Sequence, residues 1–304
     1  MFDTIIIGAG TAGFAAAIYA ARSKMKTLVI GAEIGGTAAK AYEIENYPGF
    51  KKILGKDLAQ RIRGQVENLG VEIKADIVKS IQKKGYHFEV NLTVSEEVLS
   101  AKTIILATGT KHRELGLKSE KKFSGKGISF CATCDGYFFK NKTVAIIGGG
   151  DAAATAAIFL GEICSKVYLI FRKKVMRAEP FWIDKIKQNP KVEMMPQKNV
   201  QEFCGKEKLE YLLLDTKEKI DVDGAFVQIG ADAETKLADL LNLEKDNKGF
   251  IKVYKDQSTS YQGIFAAGDV TNGSNHFEQV ATSVSEGAIA ANAVFMYLQE
   301  NSKY

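Results

Sequence analysis

This chain of 304 residues is expected to adopt an α/β fold, with two parallel-sheet units and the second inserted in the first. Three observations predict that architecture. A strand, a glycine-rich turn and an Ala-rich helix open the chain. The same pattern recurs 140 residues later without a gap. After the second copy has ended, a further strand and a long helix follow that belong with the first.

The opening unit starts with Thr4-Ile5-Ile6-Ile7, a short apolar run of the kind found in a strand buried on both faces. Gly8-Ala9-Gly10-Thr11-Ala12-Gly13 follows at once, then an Ala-rich helix to Arg22 and a second strand, Thr27-Leu28-Val29-Ile30. A lone GxGxxG is weak evidence. Between a strand and a helix it marks a Rossmann-like, dinucleotide-binding βαβ unit. The glycines permit a tight turn and let backbone N–H groups approach a pyrophosphate at the helix N-terminus. Leu58, Ile62, Val66 and Leu69 recur at helical spacing, so Asp57–Leu69 is predicted to be a helix. Short β-like runs follow at Val71–Ile73, Val78–Ile81, Phe88–Val94 and Lys102–Leu106, the last entering the small-residue turn Ala107-Thr108-Gly109.

Between the two copies lies Cys131-Ala132-Thr133-Cys134-Asp135-Gly136. Cysteines separated by two residues close a small disulfide that is readily reduced and reoxidised. Half of a zinc site is the competing reading. Zinc takes four ligands, whereas Cys164 and Cys204 are isolated and His87, His112 and His276 form no spaced pair, so no metal is expected. A redox dithiol between two dinucleotide turns implies electron flow.

The second copy runs Thr143-Val144-Ala145-Ile146-Ile147, then Gly148-Gly149-Gly150-Asp151-Ala152-Ala153, an Ala-rich helix, and Val167-Tyr168-Leu169-Ile170. Ile7 matches Ile147, Gly8 matches Gly148, Gly10 matches Gly150 and Ile30 matches Ile170, which indicates duplication. The copies differ just after their second strands, where the adenosine ribose is met. Gly31-Ala32-Glu33 offers an acid for ribose hydroxyls. Phe171-Arg172-Lys173-Lys174 with Arg177 offers cations for a 2′-phosphate, so the second site is expected to prefer NADPH to NADH.

Residues 192–229 read as a small antiparallel layer, with Leu209–Leu214 and Ala225–Ile229 as its best strands. Near residue 237 the chain is expected to return to the first unit. There Gly263–Ala267 reads as a strand ending in Gly268-Asp269, and Val280–Glu300 as a long helix. The predicted division is 1–113 plus 238–304 for the first domain and 114–237 for the second, which carries the dithiol.

Composition excludes other classes. There are 41 Lys and Arg against 36 Asp and Glu, a net charge of +5, with the basic residues scattered; a nucleic-acid binder is not expected. No apolar run reaches the ~18 residues of a membrane span. The apolar N-terminus lacks a basic leader and is punctuated by Gly8, Gly10 and Gly13, so it reads as strand and helix rather than a signal peptide. Four cysteines in this length make no disulfide framework, which points to a reducing, cytoplasmic compartment.

These motifs, with Gly35-Gly36, Glu45-Asn46-Tyr47-Pro48-Gly49-Phe50 and Gly268-Asp269-Val270, stand in the order and spacing of the low-molecular-weight thioredoxin reductases, which the chain resembles over essentially its whole length. The resemblance implies FAD in the first domain and NADPH in the second. FAD would lie against Gly8, Gly10, Thr11, Ala12, Gly13, Glu33, Gly35, Gly36, Thr37, Asn46, Ala107, Thr108, Gly109, Gly268, Asp269, Gln279 and Val280. NADPH would lie against Gly148, Gly150, Asp151, Ala152, Ala153, Arg172, Lys173 and Arg177. Cys134 would face the flavin, Cys131 would attack the protein substrate, and Asp135 would manage thiol protons. A thioredoxin-like partner, a homodimer, and rotation about linkers near residues 111–114 and 235–240 are also implied. The chain departs from the family at Thr37, where Gln is common, at Phe171, where His is common, at Ala233-Glu234-Thr235, and at Phe277-Glu278-Gln279-Val280, where Tyr-Arg-Gln-Ala is common. These departures bear on the electron donor, with NADH, reduced ferredoxin or another flavin as alternatives. A non-catalytic redox sensor is the alternative from another class.

Overall fold

A computed structural model describes residues 1–41 and 43–301. The chain forms two compact units. The first comprises Met1–Ala39, Ile44–Lys111 and the chain from Ala233 on; the second comprises His112–Asp232 together with the short segment Lys40–Glu43.

The first unit begins with β1 (Phe2–Ile7), α1 (Thr11–Arg22) and β2 (Thr27–Ile30), followed by the short α2 (Gly36–Ala39) and α3 (Gly55–Asn68). Then come β3 (Glu72–Lys74), β4 (Val78–Lys84), β5 (His87–Leu92) and the long β6 (Val98–Leu106), before β7 (Thr110–His112) leads out. The second unit contains α4 (Lys118–Phe123), β8 (Ile128–Ser129), α5 (Ala132–Asp135), β9 (Thr143–Ile147), α6 (Asp151–Ile163), β10 (Lys166–Phe171), α7 (Pro180–Lys187) and β11 (Val192–Pro196). It continues with β12 (Val200–Cys204), β13 (Tyr211–Leu214), β14 (Lys219–Asp221), β15 (Gly224–Val227) and β16 (Ala231–Ala233). The chain then returns through α8 (Lys236–Leu240), β17 (Ile264–Ala266) and α9 (Val280–Asn301). β7 and β16, the outgoing and returning strands, pair as a two-stranded ribbon.

The first sheet runs β3-β2-β1-β6-β5-β4. β6 is long enough to pair twice along one edge: Val98–Ala101 run antiparallel to β5, and Ile104–Leu106 parallel to β17. Side chains alternate across this sheet. Ile5, Ile7, Leu28, Ile30 and Ile104 face a core completed by the β4–β5 hairpin and by Leu237 and Ala238 of α8. Ile6, Val29 and Ile105 face the other core, under α1 and α9. Gly287 lets α9 approach α1, since a Cβ there would lie 2.1 Å from the Ala12 carbonyl oxygen.

The second unit repeats this three-layer plan. Its sheet, β11-β10-β9-β15-β8, is parallel throughout. Val144, Ile146, Val167 and Leu169 face α6 and α7, and Ala145, Ile147 and Ile170 face the antiparallel layer β12-β13-β14. The expectation for Ala225–Ile229 needs correction. That run is not part of the antiparallel layer; its first three residues, Ala225, Phe226 and Val227, belong to β15, between β9 and β8 in the parallel sheet. All four β15 residues are buried, as a strand covered on both faces requires. Both units are therefore Rossmann-like three-layer α/β domains.

Candidate active site

The redox turn lies between β8 and β9. Cys131 and Cys134 are joined by a disulfide, with their Cα atoms 5.3 Å apart. Cys131 is the N-cap of α5, half-buried, while Cys134 is exposed. The Cys134 N–H donates to Cys131 Sγ at 3.2 Å, so a backbone dipole is already aimed at that sulfur. Thr133 Oγ1 lies 3.5 Å from the same sulfur and donates its proton to the Lys40 carbonyl. Asp135 Oδ2 takes a 2.6 Å hydrogen bond from the Ser129 hydroxyl. Gly136 is required where the turn meets α6: a Cβ there would fall 2.7 Å from the Phe159 ring and 2.9 Å from Leu160.

The two glycine turns have matching geometry. Gly8 (φ +123°) has no room for a Cβ, which would lie 1.9 Å from the Ala107 carbonyl oxygen; at Gly148 (φ +151°) it would lie 1.9 Å from that of Gln228. Each turn is thus pressed against the backbone of a neighbouring strand end. Gly10 and Gly150 are the opposite: a Cβ at Gly10 would come no nearer than 3.8 Å to Gly36 Cα, and at Gly150 it would meet nothing within 4 Å. Both are helix N-caps without a side-chain cap, so the first-turn amides of Thr11, Ala12 and Gly13, and of Asp151, Ala152 and Ala153, receive no capping side chain. Open space over uncapped N–H groups fits an anionic group such as a pyrophosphate, and both turns pass this test.

Around the first turn the structure gathers most of the residues singled out in the sequence. Gly35 N donates to the Ala9 carbonyl at 2.8 Å, and Gly36 N to the Glu33 carbonyl at 3.2 Å, so the loop after β2 folds onto the glycine turn. Thr37 is exposed on α2. Asn46 Nδ2 donates to Gln279 Oε1 at 2.9 Å, joining two residues 233 positions apart at the start of α9, where Val280 begins the helix. Thr108 Oγ1 donates to the Glu234 carbonyl at 2.8 Å, and Gly109 takes φ +66°. Gly268 N donates to Glu286 Oε2 at 2.8 Å. Burial raises Asp269 above the ordinary carboxylate range, opposed by the Ser283 hydroxyl, which donates to its Oδ1 at 2.8 Å.

Around the second turn, Arg177 N donates to the Gly149 carbonyl at 2.7 Å, which pins the basic segment to the glycines. Asp151 Oδ1 accepts from Glu179 N at 2.7 Å, fixing the far end of that segment to the start of α6. Arg172, Lys173 and Arg177 are exposed. Ser129, Ser283, Glu286 and Gln228 were not singled out in the sequence. Single hydroxyls, carboxylates and amides outside a spaced motif carry no periodic signal, and only their contacts identify them.

Two uncapped dinucleotide turns on duplicated domains, one of which bears a redox disulfide, define a class that passes electrons between a nucleotide and a dithiol. The chain belongs to the pyridine nucleotide-disulphide oxidoreductase family, which matches residues 2–287. It is 38% identical to a thioredoxin reductase of Treponema pallidum, over 98% of this chain and 97% of that protein. Among solved structures it is similar to the Lactococcus lactis thioredoxin reductase, with a TM-score of 0.94 and 32% identity over 99% of this chain and 100% of that one. It is also similar to the T. acidophilum thioredoxin reductase, with a TM-score of 0.92 and 36% identity over 100% and 99% of the two chains. No helix among the described residues is long and apolar enough to cross a membrane.

Proposed function

We propose that this protein is a thioredoxin-disulfide reductase that takes its electrons from NADPH. The observation that carries this reading is the Cys131–Cys134 disulfide, whose Cys131 sulfur accepts a backbone N–H and whose neighbour Asp135 is a half-buried carboxylate. FAD would be held in the first domain by the amides of Thr11–Gly13 at its pyrophosphate and by Glu33 at its ribose. Asn46, Gln279 and Val280, Ala107–Gly109, and Gly268 with Asp269 would line the remainder. NADPH would be held in the second by Gly148–Ala153, with Arg172, Lys173 and Arg177 on its 2′-phosphate. When bound, these groups would supply, as a hydride, the one electron pair that opens the disulfide.

The protein's own residues then handle sulfur and protons. The N–H of Cys134 stabilises negative charge on Cys131 Sγ, which favours a thiolate there once the disulfide is open. That thiolate attacks the disulfide of a small redox protein and forms a mixed disulfide. Cys134 resolves it by attacking Cys131 Sγ, which restores the starting bond and releases the partner dithiol. Asp135 gives a proton to a departing thiolate and recovers it from solvent. The paired strands β7 and β16 mark the linkers about which domain rotation would alternate access. A homodimer in a reducing compartment completes the proposal.

The test is anaerobic. NADPH and NADH are added separately to the purified yellow protein while the flavin absorbance is followed, and thioredoxin is then offered as acceptor. Rapid bleaching by NADPH alone, followed by thioredoxin reduction, is the expected result. No bleaching by either nucleotide, with the flavin still reducible by dithionite, would overturn NADPH as donor.

A further inference from the structure

Ser129 is the residue closest to the proton chemistry of the redox turn that the reading above leaves without a role. It sits on β8 beside Phe226 of β15, and it is only 7% exposed. Its hydroxyl oxygen meets three partners. It accepts from Cys131 N at 3.0 Å, lies 2.6 Å from Asp135 Oδ2, and lies 3.3 Å from the Cys131 carbonyl oxygen. A serine hydroxyl has one proton and two lone pairs. Two acceptors therefore compete for one proton.

The protonation state of Asp135 decides the competition. While Asp135 is ionised, the Ser129 proton goes to the carboxylate at 2.6 Å. Once Asp135 carries a proton, its own O–H donates to Ser129 Oγ, and the serine proton turns to the Cys131 carbonyl. The Cys131 N–H is accepted in both states. Neither state leaves Ser129 without partners, so Asp135 can take and give up a proton in a half-buried site without stranding a polar group, which would cost about 1–3 kcal/mol.

We infer that Ser129 is a positioning residue whose hydroxyl rotor lets Asp135 exchange the protons of the Cys131–Cys134 dithiol. This rests on the dithiol reading above. Opening the disulfide takes two electrons and two protons and yields two thiols. Exchange with a partner disulfide passes both onward, and Asp135 supplies a proton to a leaving thiolate and is reprotonated from solvent. Ser129 gains and loses none; only the direction of its O–H changes. Helix α6 presents Phe159, Leu160 and Ile163 to the turn, and the Tyr137 ring packs edge-on against Phe159 at 5.7 Å. Lys40, which belongs to this unit, meets the turn through its carbonyl, which accepts from Thr133 Oγ1. The titratable groups of the turn itself are thus Asp135, the two thiols and Tyr137.

The experiment uses the full-length, flavin-loaded protein, reduced with dithiothreitol and desalted anaerobically. Iodoacetamide modification of the Cys131 and Cys134 peptides is measured by mass spectrometry from pH 5 to 9. Two variants of equal shape, Ser129→Thr and Ser129→Val, keep and remove the hydroxyl. The parent and Ser129→Thr are expected to share one profile, while Ser129→Val moves its lower inflection up by roughly one pH unit, a tenfold change in that equilibrium. In an Asp135→Asn background, Thr and Val are expected to give the same profile. A Val profile that superimposes on the parent, or a Thr–Val difference that persists with Asp135→Asn, would overturn the inference. If Val does not fold, Ser129→Ala, which removes the hydroxyl without adding bulk, takes its place against the parent in both Asp135 backgrounds, and the same two results would overturn the inference. The assay needs neither nucleotide nor thioredoxin, so failure of the donor or acceptor assignment leaves its outcome intact.

Discussion

The two glycine turns share one sequence pattern and differ at the contacts that matter. In the first copy, Ala9 occupies the middle of the turn and the residue opposite, after β2, is Gly31; a Cβ on Gly31 would fall 2.7 Å from Ala9 N and 2.8 Å from its Cβ. In the second copy the bulk has changed sides. Gly149 occupies the middle, Phe171 stands opposite, and a Cβ on Gly149 would fall 3.2 Å from that of Phe171. The third motif position differs too. Gly13 has no room for a side chain, since a Cβ would lie 1.9 Å from the Gly8 carbonyl oxygen, whereas Ala153 carries one. Helix α1 is thus drawn closer to its turn than α6 is. The first helix has no acid in its first turn, while the second starts with Asp151, already engaged by Glu179 N. A single scaffold has been tightened at one copy and opened toward a basic rim at the other.

The largest test of this contrast concerns what the second unit alone carries. Cys131→Ser or Cys134→Ser removes the disulfide and leaves both turns untouched. Thioredoxin reduction is expected to fall on the order of 10³-fold or more, with bound flavin unchanged by absorbance. Next come Gly8→Ala and Gly148→Ala. Each forces a Cβ to within 1.9 Å of a carbonyl oxygen and puts alanine at positive φ, at a cost of about 1–3 kcal/mol from each effect. Gly8→Ala is expected to release the flavin during purification. Gly148→Ala is expected to keep the yellow colour and lose reduction by nucleotide while dithionite still bleaches it. Identical losses in the two variants would mean that the turns do not serve separate ligands.

A smaller effect is expected at the basic rim. Arg172→Ala and Arg177→Ala should each raise the KM for NADPH about tenfold, the loss of roughly one charge-assisted hydrogen bond, and leave that for NADH unaltered. Steady-state kinetics with both nucleotides reads this directly. Arg177 should be the stricter test, because its backbone is fixed to Gly149 at 2.7 Å and its position does not depend on a long side chain alone.

Much of this was legible in the residues, for reasons that can be named. β1, α1 and β2 announce themselves because an all-buried strand, a glycine turn and an Ala-rich helix each leave a local pattern, and the offset of 140 doubles it. The pairing of β15 was not legible: Gly224–Val227 is short and wholly buried, and nothing in four apolar residues tells a parallel neighbour from an antiparallel one. The second linker was read near residues 235–240, whereas the chain changes unit between Asp232 and Ala233, and Leu237 and Ala238 are core residues of the first unit. At the site, spacing identified Cys131, Cys134 and the glycines. The Asn46–Gln279 hydrogen bond spans 233 positions and has no local sign. Phe171 read only as a departure from the family's histidine; its packing against Gly149 supplies the physical reason.

That packing yields the smallest effect expected here. Gly149→Ala brings two Cβ atoms to 3.2 Å, tighter than ordinary contact but relieved by a shift of a few tenths of an ångström. The cost should be about 1 kcal/mol, at the low end of overpacking, and a loss of roughly 2–4 °C in Tm. Gly31→Ala meets a backbone nitrogen as well as a Cβ, both under 3 Å, and neither is the free end of a side chain. Its cost should be two to three times larger, about 2–3 kcal/mol by the same principle, and it should weaken flavin retention, because Gly31 N also donates to the Lys74 carbonyl at 3.1 Å and so fixes the strand end that leads to Glu33. Thermal unfolding of the two variants, with flavin release followed by fluorescence, separates them. Equal costs would mean that the exchange of bulk between the copies is incidental. The expected inequality would show that the first turn has been closed around its ligand and the second left with slack on the side where Phe171 and the basic rim begin.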